Sequence, residues 1–262
     1  MEVIPIIPKK SWYVKPMGIA SIVFLSLLAS IIVFLGLRIV YFYYQIRVKG
    51  FGAVSLDFTR KLTTSINATD NESSTKIFNQ EDIASKTDPS SGSSKNSVSI
   101  VMFSNFECPF SKEVSGTVRE LALKYKNDIN IIYRDFPLDT IHKHSRLAGE
   151  AAGCAAEQGK FWPFYDRLYA ASPALDSESL KLYAIQSGLD EEIFSNCLKD
   201  GRMREEVQGD YEDGLRFGVR GTPTFFINGE KIEGAIPKPI FEKLIQSTIK
   251  RAAEIKSREQ PR

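Results

Sequence analysis

This chain has few histidines and cysteines, and its net charge is small. Its 262 residues include two histidines and three cysteines, and the formal net charge at pH 7 is only +2. Because no basic stripe runs along the sequence, we expect neither nucleic-acid binding nor electrostatic capture of an acidic partner. The two histidines, His142 and His144, lie near a predicted helix start. We therefore expect them to be solvated or hydrogen-bonded, and we predict no metal site and no cofactor.

The chain does contain one long hydrophobic run, from Gly18 to Leu37, without a charged residue. Such a run reaches the ~30 Å thickness of a bilayer core when it is helical. It is longer than the apolar part of a cleaved signal peptide, and no small-residue cleavage site follows it. We therefore expect a tail at residues 1–17 and an uncleaved single-pass transmembrane anchor at residues 18–40. Basic residues flank both ends, so the charges alone do not give its orientation.

The following segment, residues 41–97, combines a juxtamembrane piece with a polar tract. From Thr63 to Ser97 the sequence is rich in Ser, Thr, Asn and Asp and has little apolar periodicity. A segment of this composition cannot bury enough surface to fold alone. We predict a disordered linker that ends at Ser97.

The sequence pattern changes at Val98, where apolar runs replace the polar tract. The apolar run Val98–Ser104, a helical pattern from about Cys108 to Tyr125 and a second apolar run at Ile129–Phe136 predict a βαβ unit with parallel strands. Several helices are then expected within an insertion at about 139–217, each followed by a glycine: Gly159, Gly188, Gly201 and Gly218.

Strand patterns return after this insertion. Thr224–Ile227, the Asn228-Gly229 turn and the "EKIEG" arm predict a hairpin. A final helix is expected at about 238–256, so the folded domain spans residues 98–256. The fold class predicted by this order is α/β.

Cys108 is placed between a predicted strand and a predicted helix. Unpaired backbone N–H groups and the helix dipole favour an anion at this position, so the thiolate becomes available as a nucleophile. Pro109 fits the first helical turn and leaves the N–H groups of Phe110 and Ser111 as donors to the sulfur. The acidic neighbour Glu107 disfavours the thiolate. Taken alone, Cys108 also fits a small buried apolar residue.

Further along the chain, "GVRGTPTFF" places a Thr-Pro pair before a strand, where a cis proline is expected at Pro223. Together with "FSNFECPFS", "IIYRDFPL" and "AAGCAAEQGKFWPFYDRLY", this stretch resembles the DsbA-like branch of the thioredoxin superfamily. The resemblance covers Val98 to about Ile249. It implies a thioredoxin-like fold with an inserted helical subdomain, Cys108 as the catalytic nucleophile, and a peptide-binding groove at Pro109, Phe110, Thr222 and Pro223.

The chain departs from this family at Ser111, where the pattern has a second cysteine. That cysteine resolves a mixed disulfide by attacking the first one, and a hydroxyl cannot do so. Three cysteines allow three pairings and leave one thiol over. The resemblance implies a structural disulfide between Cys154 and Cys197, which we prefer to a resolving role for either. A lasting disulfide needs an oxidising compartment, so we expect the C-terminal domain to be extracytoplasmic, on the outer side of the cell membrane.

These expectations lead to two classes of function. The first is a thiol–disulfide oxidoreductase or isomerase that acts on protein or peptide thiols and disulfides through Cys108, with a small thiol or a membrane redox partner. The second is a redox-inactive peptide-binding, chaperone or scaffold module that keeps the groove. A serine introduced at position 111 to trap substrates is a third interpretation of the sequence.

Overall fold

The computed structural model describes residues 24–25, 27–38, 78–85, 87–93, 95 and 98–259. The chain divides into two compact units, Met1–Glu72 and Ser73–Arg262. In the first unit the described residues are helical, and their large apolar side chains are exposed. Within the described stretches, no helix has the length and apolar character needed to cross a bilayer. The remaining residues of the predicted anchor and the segment 41–77 lie outside the described residues.

The second unit is built on a five-stranded sheet. In chain order the strands are β1 (Ser90–Ser91), β2 (Val98–Ser104), β3 (Ile129–Asp135), β4 (Thr224–Ile227) and β5 (Glu230–Glu233). Their order across the sheet is β1-β3-β2-β4-β5. The central pair β2 and β3 is parallel, and every other pairing is antiparallel. The parallel pair confirms the predicted βαβ unit.

Eight helices surround this sheet in the described part of the unit. They are α1 (Gln80–Ile83), α2 (Pro109–Lys124), α3 (Ser145–Glu157), α4 (Phe161–Ala171), α5 (Ser177–Gln186), α6 (Glu191–Asp200), α7 (Arg204–Arg216) and α8 (Lys238–Glu259). Helix α2 connects the two parallel strands, and α3 to α7 lie between β3 and β4. Helix α8 follows the β4–β5 hairpin, as the sequence predicts.

Two apolar clusters pack on the opposite faces of the sheet, because successive side chains of a strand alternate between its faces. Ile100 and Met102 of β2 belong to the larger cluster, with side chains from α2 to α6 and from α8. Val101 and Phe103 belong to the smaller one, which also contains Ile83 of α1. Both faces of β2 are therefore covered, which explains why all seven of its residues are buried.

The structure corrects the predicted end of the linker. Residues 78–93 contain α1 and β1, and β1 pairs with β3 at the edge of the sheet. The polar composition of this segment favours disorder, but two of its residues are buried in the domain, Ile83 at 0% and Asp88 at 8% exposure. Long-range contacts with the domain thus order this segment, although its local composition favours disorder.

Local signals in the helical region agree with the structure. Asp176 and Asp190 are the N-cap residues of α5 and α6, and each accepts hydrogen bonds from the first helical turn. The four glycines expected to end helices all have positive φ, a conformation that side chains disfavour (Gly159, Gly188, Gly201 and Gly218). The predictions for the four glycines are confirmed.

Candidate active site

Cys108 is the N-cap residue of α2, four residues after the end of β2. The connecting turn is held by Asn105, whose carbonyl accepts a hydrogen bond from the Cys108 N–H at 3.0 Å. The Asn105 side chain accepts a second bond, from the Glu107 N–H at 2.9 Å. Pro109 begins the helix, where its missing N–H costs nothing. This turn fixes the cysteine at the positive end of the helix dipole.

The Cys108 thiol is free and buried, with 4% of the residue exposed. It donates a hydrogen bond to the backbone carbonyl of Thr222 at 3.2 Å. The peptide bond between Thr222 and Pro223 is cis. The prediction that the N–H groups of α2 donate to the sulfur is wrong, because the Cys108 side chain forms no capping hydrogen bond. The thiol faces the proline loop instead.

Two buried hydroxyl groups accompany the thiol. Ser111 is fully buried and lies three residues after Cys108, one helical turn further along the same face. Thr222, whose carbonyl contacts the sulfur, is 8% exposed. Within the described residues, neither the Ser111 Oγ nor the Thr222 Oγ1 has a hydrogen-bond partner. Such a group is costly to bury, so both hydroxyls are available to an acceptor that enters the site.

The two histidines of the chain bind the turn that carries Cys108. The backbone N–H and the Nδ1 of His144 contact the Glu107 carboxylate at 2.7 and 3.2 Å. The Nδ1 of His142 lies 3.0 Å from the Asn105 amide nitrogen. The Glu107 carboxylate is therefore held by the start of α3. Both histidines are hydrogen-bonded, in line with the sequence analysis, which did not predict that their partners lie in this turn.

Exposed apolar side chains occur next to the site in the sequence and in the loop that leads to His142. Pro109 is exposed, and Phe110 has 59% of its surface exposed. Ile141, in the loop that leads to His142, is 70% exposed. Large apolar side chains at such exposure suit contact with a polypeptide.

A buried network of tyrosines lies behind the site. The Ser104 hydroxyl at the end of β2 is 2.7 Å from the Tyr169 hydroxyl. The Tyr133 hydroxyl donates to the Asp135 carboxyl at 3.2 Å. Burial raises the pKa of Tyr133 and of Tyr169, and it raises the pKa of Asp135 well above its usual range. The tyrosines therefore stay neutral at physiological pH.

Next to this network, Arg134 of β3 is buried among carboxylates. It contacts Asp210 at 2.6 Å, Asp213 at 2.8 Å and Asp88 at 3.5 Å. It also donates to the carbonyl of Ile83 at 2.7 Å. Arg134 thereby ties the segment before β2 to helix α7. None of these residues stood out in the sequence, because a charged residue inside a strand gives no local sign of its distant partners.

Cys154 and Cys197 form a disulfide between α3 and α6, with Cα atoms 5.9 Å apart. Both cysteines are buried in the larger apolar cluster. The structure thus brings Cys108, Ser111, Thr222 and Pro223 together and leaves the other two cysteines in the helical region. Cys108 is the only thiol of the three cysteines.

Comparison with known proteins agrees with this fold. A family model described as thioredoxin matches residues 84–247, more than half of the chain. The chain therefore belongs to the thioredoxin family, and its domain has the DsbA-like form of that fold. The solved structure of the thiol–disulfide exchange protein α-DsbA2 from Wolbachia pipientis is similar, with 23% identity and a TM-score of 0.59 over 64% of this chain and 90% of that one. The solved structure of BdbD from Bacillus subtilis in its oxidised form is also similar. It has 21% identity and a TM-score of 0.57, over 63% of this chain and 94% of that one.

The curated relatives are much longer proteins. The Na(+)/H(+) antiporter NhaA 3 of Salinispora tropica is 36% identical over 137 residues, which are 52% of this chain and 21% of the antiporter. NhaA 1 of Salinispora arenicola is 36% identical over 138 residues, which are 53% of this chain and 21% of that antiporter. The chain thus spans about a fifth of the length of these relatives.

Proposed function

We propose that the protein is a membrane-anchored, extracytoplasmic thiol–disulfide oxidoreductase or isomerase that acts on protein disulfides through Cys108. The observation that carries this proposal is the position of the free thiol, at the N-terminus of α2 and 3.2 Å from the carbonyl before the cis Pro223. A helix N-terminus is a common place for the nucleophilic sulfur of disulfide exchange.

In this reaction the Cys108 thiolate attacks one sulfur of a substrate disulfide. A mixed disulfide forms, and the other substrate sulfur leaves as a thiolate. Because Ser111 cannot attack the mixed disulfide, a second thiol of the substrate or an external thiol releases Cys108. The exposed side chain of Phe110, two residues after Cys108, would contact the substrate chain near the thiol.

Three observations support the proposed location. The uncharged run Gly18–Leu37 suits an anchor in length and composition. The disulfide between Cys154 and Cys197 suits an oxidising compartment. The similar segments of the curated relatives also occur in proteins named as antiporters, whose action requires a membrane.

Alkylation by iodoacetamide tests the proposed nucleophile. With the disulfide intact, we expect Cys108 to be alkylated at neutral pH, because disulfide exchange requires a nucleophilic sulfur that a small reagent can reach. Peptide mapping by mass spectrometry locates the label, and Cys108→Ala is the control that must stay unlabelled. A thiol that stays unreactive up to about pH 9, where ordinary thiols react, would contradict the proposal and favour a peptide-binding module.

A further inference from the structure

The structure of the site also restricts the kind of disulfide that Cys108 can use. We propose that its substrates are mixed disulfides between a protein cysteine and a low-molecular-weight thiol. This inference rests on the function proposed above, and it names the substrate class of the same site. Three features of the described residues support it: the burial of the sulfur, the unpartnered hydroxyl groups around it, and the absence of a second thiol.

Burial of Cys108 restricts which sulfur it attacks. The residue is 4% exposed, and the Thr222 carbonyl lies against the thiol. Exchange needs the attacking thiolate to reach a sulfur atom, so access decides between competing disulfides. A disulfide between two folded segments carries bulky chains on both sulfurs. A mixed disulfide with a small thiol has one unhindered sulfur, which can approach a buried thiolate.

The two unpartnered hydroxyl groups suit the charge that this chemistry produces at Cys108. A neutral thiol is a weak acceptor, whereas a thiolate is a full negative charge that accepts hydrogen bonds. The Ser111 Oγ is buried one helical turn from Cys108, and Thr222 already touches the sulfur through its carbonyl. Donation by these hydroxyls would make Cys108 a better leaving group. The mixed disulfide at Cys108 would then be released readily by an external thiol.

No internal thiol can take over that release. Cys154 and Cys197 are bonded to each other, and position 111 carries an oxygen in place of sulfur. The intermediate at Cys108 therefore depends on a thiol from solution. A small thiol reaches the exposed half of the intermediate more easily than a protein thiol does.

The complete cycle consumes one free small thiol and removes the small-thiol group that the protein cysteine carried. The Cys108 thiolate attacks the small-thiol sulfur of the substrate, and the protein cysteine leaves with the electron pair and takes up a proton. A small thiolate then attacks the same small-thiol sulfur, now bound to Cys108. The symmetrical small disulfide is released, and Cys108 departs as a thiolate. In net terms, the disulfide between protein and small thiol and one free small thiol become a protein thiol and a symmetrical small disulfide. The protein sulfur is reduced, and the sulfur of the entering small thiol is oxidised.

Two substrates separate this inference from the proposed function. The first is a peptide whose single cysteine is bound to glutathione, and the second is scrambled ribonuclease A, both with excess reduced glutathione and the full chain. We expect release of the peptide thiol at least ~10-fold faster than with Cys108→Ala, and a rate on ribonuclease at least ~10-fold lower than on the peptide. Comparable or faster turnover of ribonuclease overturns the inference and leaves the proposed function intact. No turnover of either substrate, with no adduct at Cys108, overturns both.

Substitution of the hydroxyl groups tests their role. Ser111→Ala and Thr222→Val each remove one donor to a charged sulfur, so we expect each to lower the peptide rate by roughly tenfold. The matched control is Ser115→Ala on the same helix, because the Ser115 hydroxyl is also buried but donates to the Lys112 carbonyl. Unchanged rates in Ser111→Ala and Thr222→Val, or an equal loss in Ser115→Ala, would contradict the assigned role.

Ser111→Cys tests the consequence of the missing sulfur. This variant can form a disulfide within its own site, so we expect it to oxidise dithiols and to lose its preference for the glutathione-bound peptide. Circular dichroism and the intact bond between Cys154 and Cys197 show that each variant is folded. A Ser111→Cys protein with the same preference as the original chain would contradict the inference.

Discussion

At the scale of single residues, Arg134 is one cation among several acids. Asp88, Asp210 and Asp213 all contact it, and Asp135 donates its backbone N–H to Asp210 at 2.8 Å. Burial raises the pKa of Asp210 to about 7, although the Arg134 charge acts in the opposite direction. The cluster therefore carries more acid groups than one buried guanidinium compensates, and protonation of Asp210 relieves the excess.

This titration predicts how stability depends on pH. Because the pKa of Asp210 in the folded protein lies above its ordinary value of 3.8, the folded state binds this proton more tightly than the unfolded chain. The stabilisation is full below about pH 4 and is lost as the pH rises through 7. We expect Asp210→Asn to remove a slope of up to roughly 1.4 kcal/mol per pH unit between pH 5 and 7.

Urea unfolding of the purified chain at several pH values measures this slope. Asp200→Asn is the control, since Asp200 is an exposed aspartate on the neighbouring helix α6. Its profile should follow that of the original chain. An Asp210→Asn protein with an unchanged pH profile would show that Asp210 is ionised throughout this range in the folded state.

The position of Cys108 between a strand and a helix could be predicted because its signal is local. The strand before it, the proline after it and the helical pattern beyond it are all adjacent in the sequence. The partner of its thiol is a backbone carbonyl 114 positions away, and only the resemblance pointed to that loop. The contacts of Glu107 with His144 and of Asn105 with His142 join residues 37 positions apart, and no local sequence pattern indicates them.

At the scale of elements, helix α7 packs closely against the sheet at Gly214. A Cβ atom at this position would lie 2.6 Å from the Phe136 ring and 3.2 Å from the Phe103 ring. Both rings are fully buried in the smaller apolar cluster, so they have little room to move. The absence of a side chain at Gly214 lets the helix approach the sheet.

The same helix offers a matched pair of glycines. We expect Gly214→Ala to destabilise the domain by about 1–3 kcal/mol through overpacking. Gly209→Ala should instead stabilise it by about 0.5–1 kcal/mol, because nothing lies within 4 Å of a Cβ there and alanine favours a helix. Thermal unfolding of both variants checks the contrast. Equal effects of the two substitutions would contradict the packing of α7 against Phe136.

Elements were predicted well where periodicity and caps are local, as in β2, α2 and the β4–β5 hairpin. Prediction failed between residues 78 and 93, where the composition favours a linker. Ordering there comes from Arg134, which binds the Ile83 carbonyl and Asp88. Sequence patterns do not reveal such contacts, because each partner looks like an ordinary surface residue in its own segment.

At the scale of the whole molecule, the thioredoxin-like architecture could be predicted because its strands and helices follow a recognisable order. The placement of the candidate site follows from that order, since β2 and α2 meet at Cys108 while the loop before β4 brings Thr222 to the sulfur. The departure from the family lies in a single atom at position 111. The fold accommodates this serine as a buried residue, and under the proposed function the site works with one thiol.

The central claim is that Cys108 is a reactive single thiol, and oxidised glutathione tests it most directly. After incubation at neutral pH and acid quenching, peptide mapping by mass spectrometry locates the bound glutathione. We predict one glutathione on Cys108, with Cys154 and Cys197 still bonded to each other and no adduct in Cys108→Ala. A chain that acquires no glutathione at Cys108, or that acquires it at Cys154 or Cys197, would contradict the account.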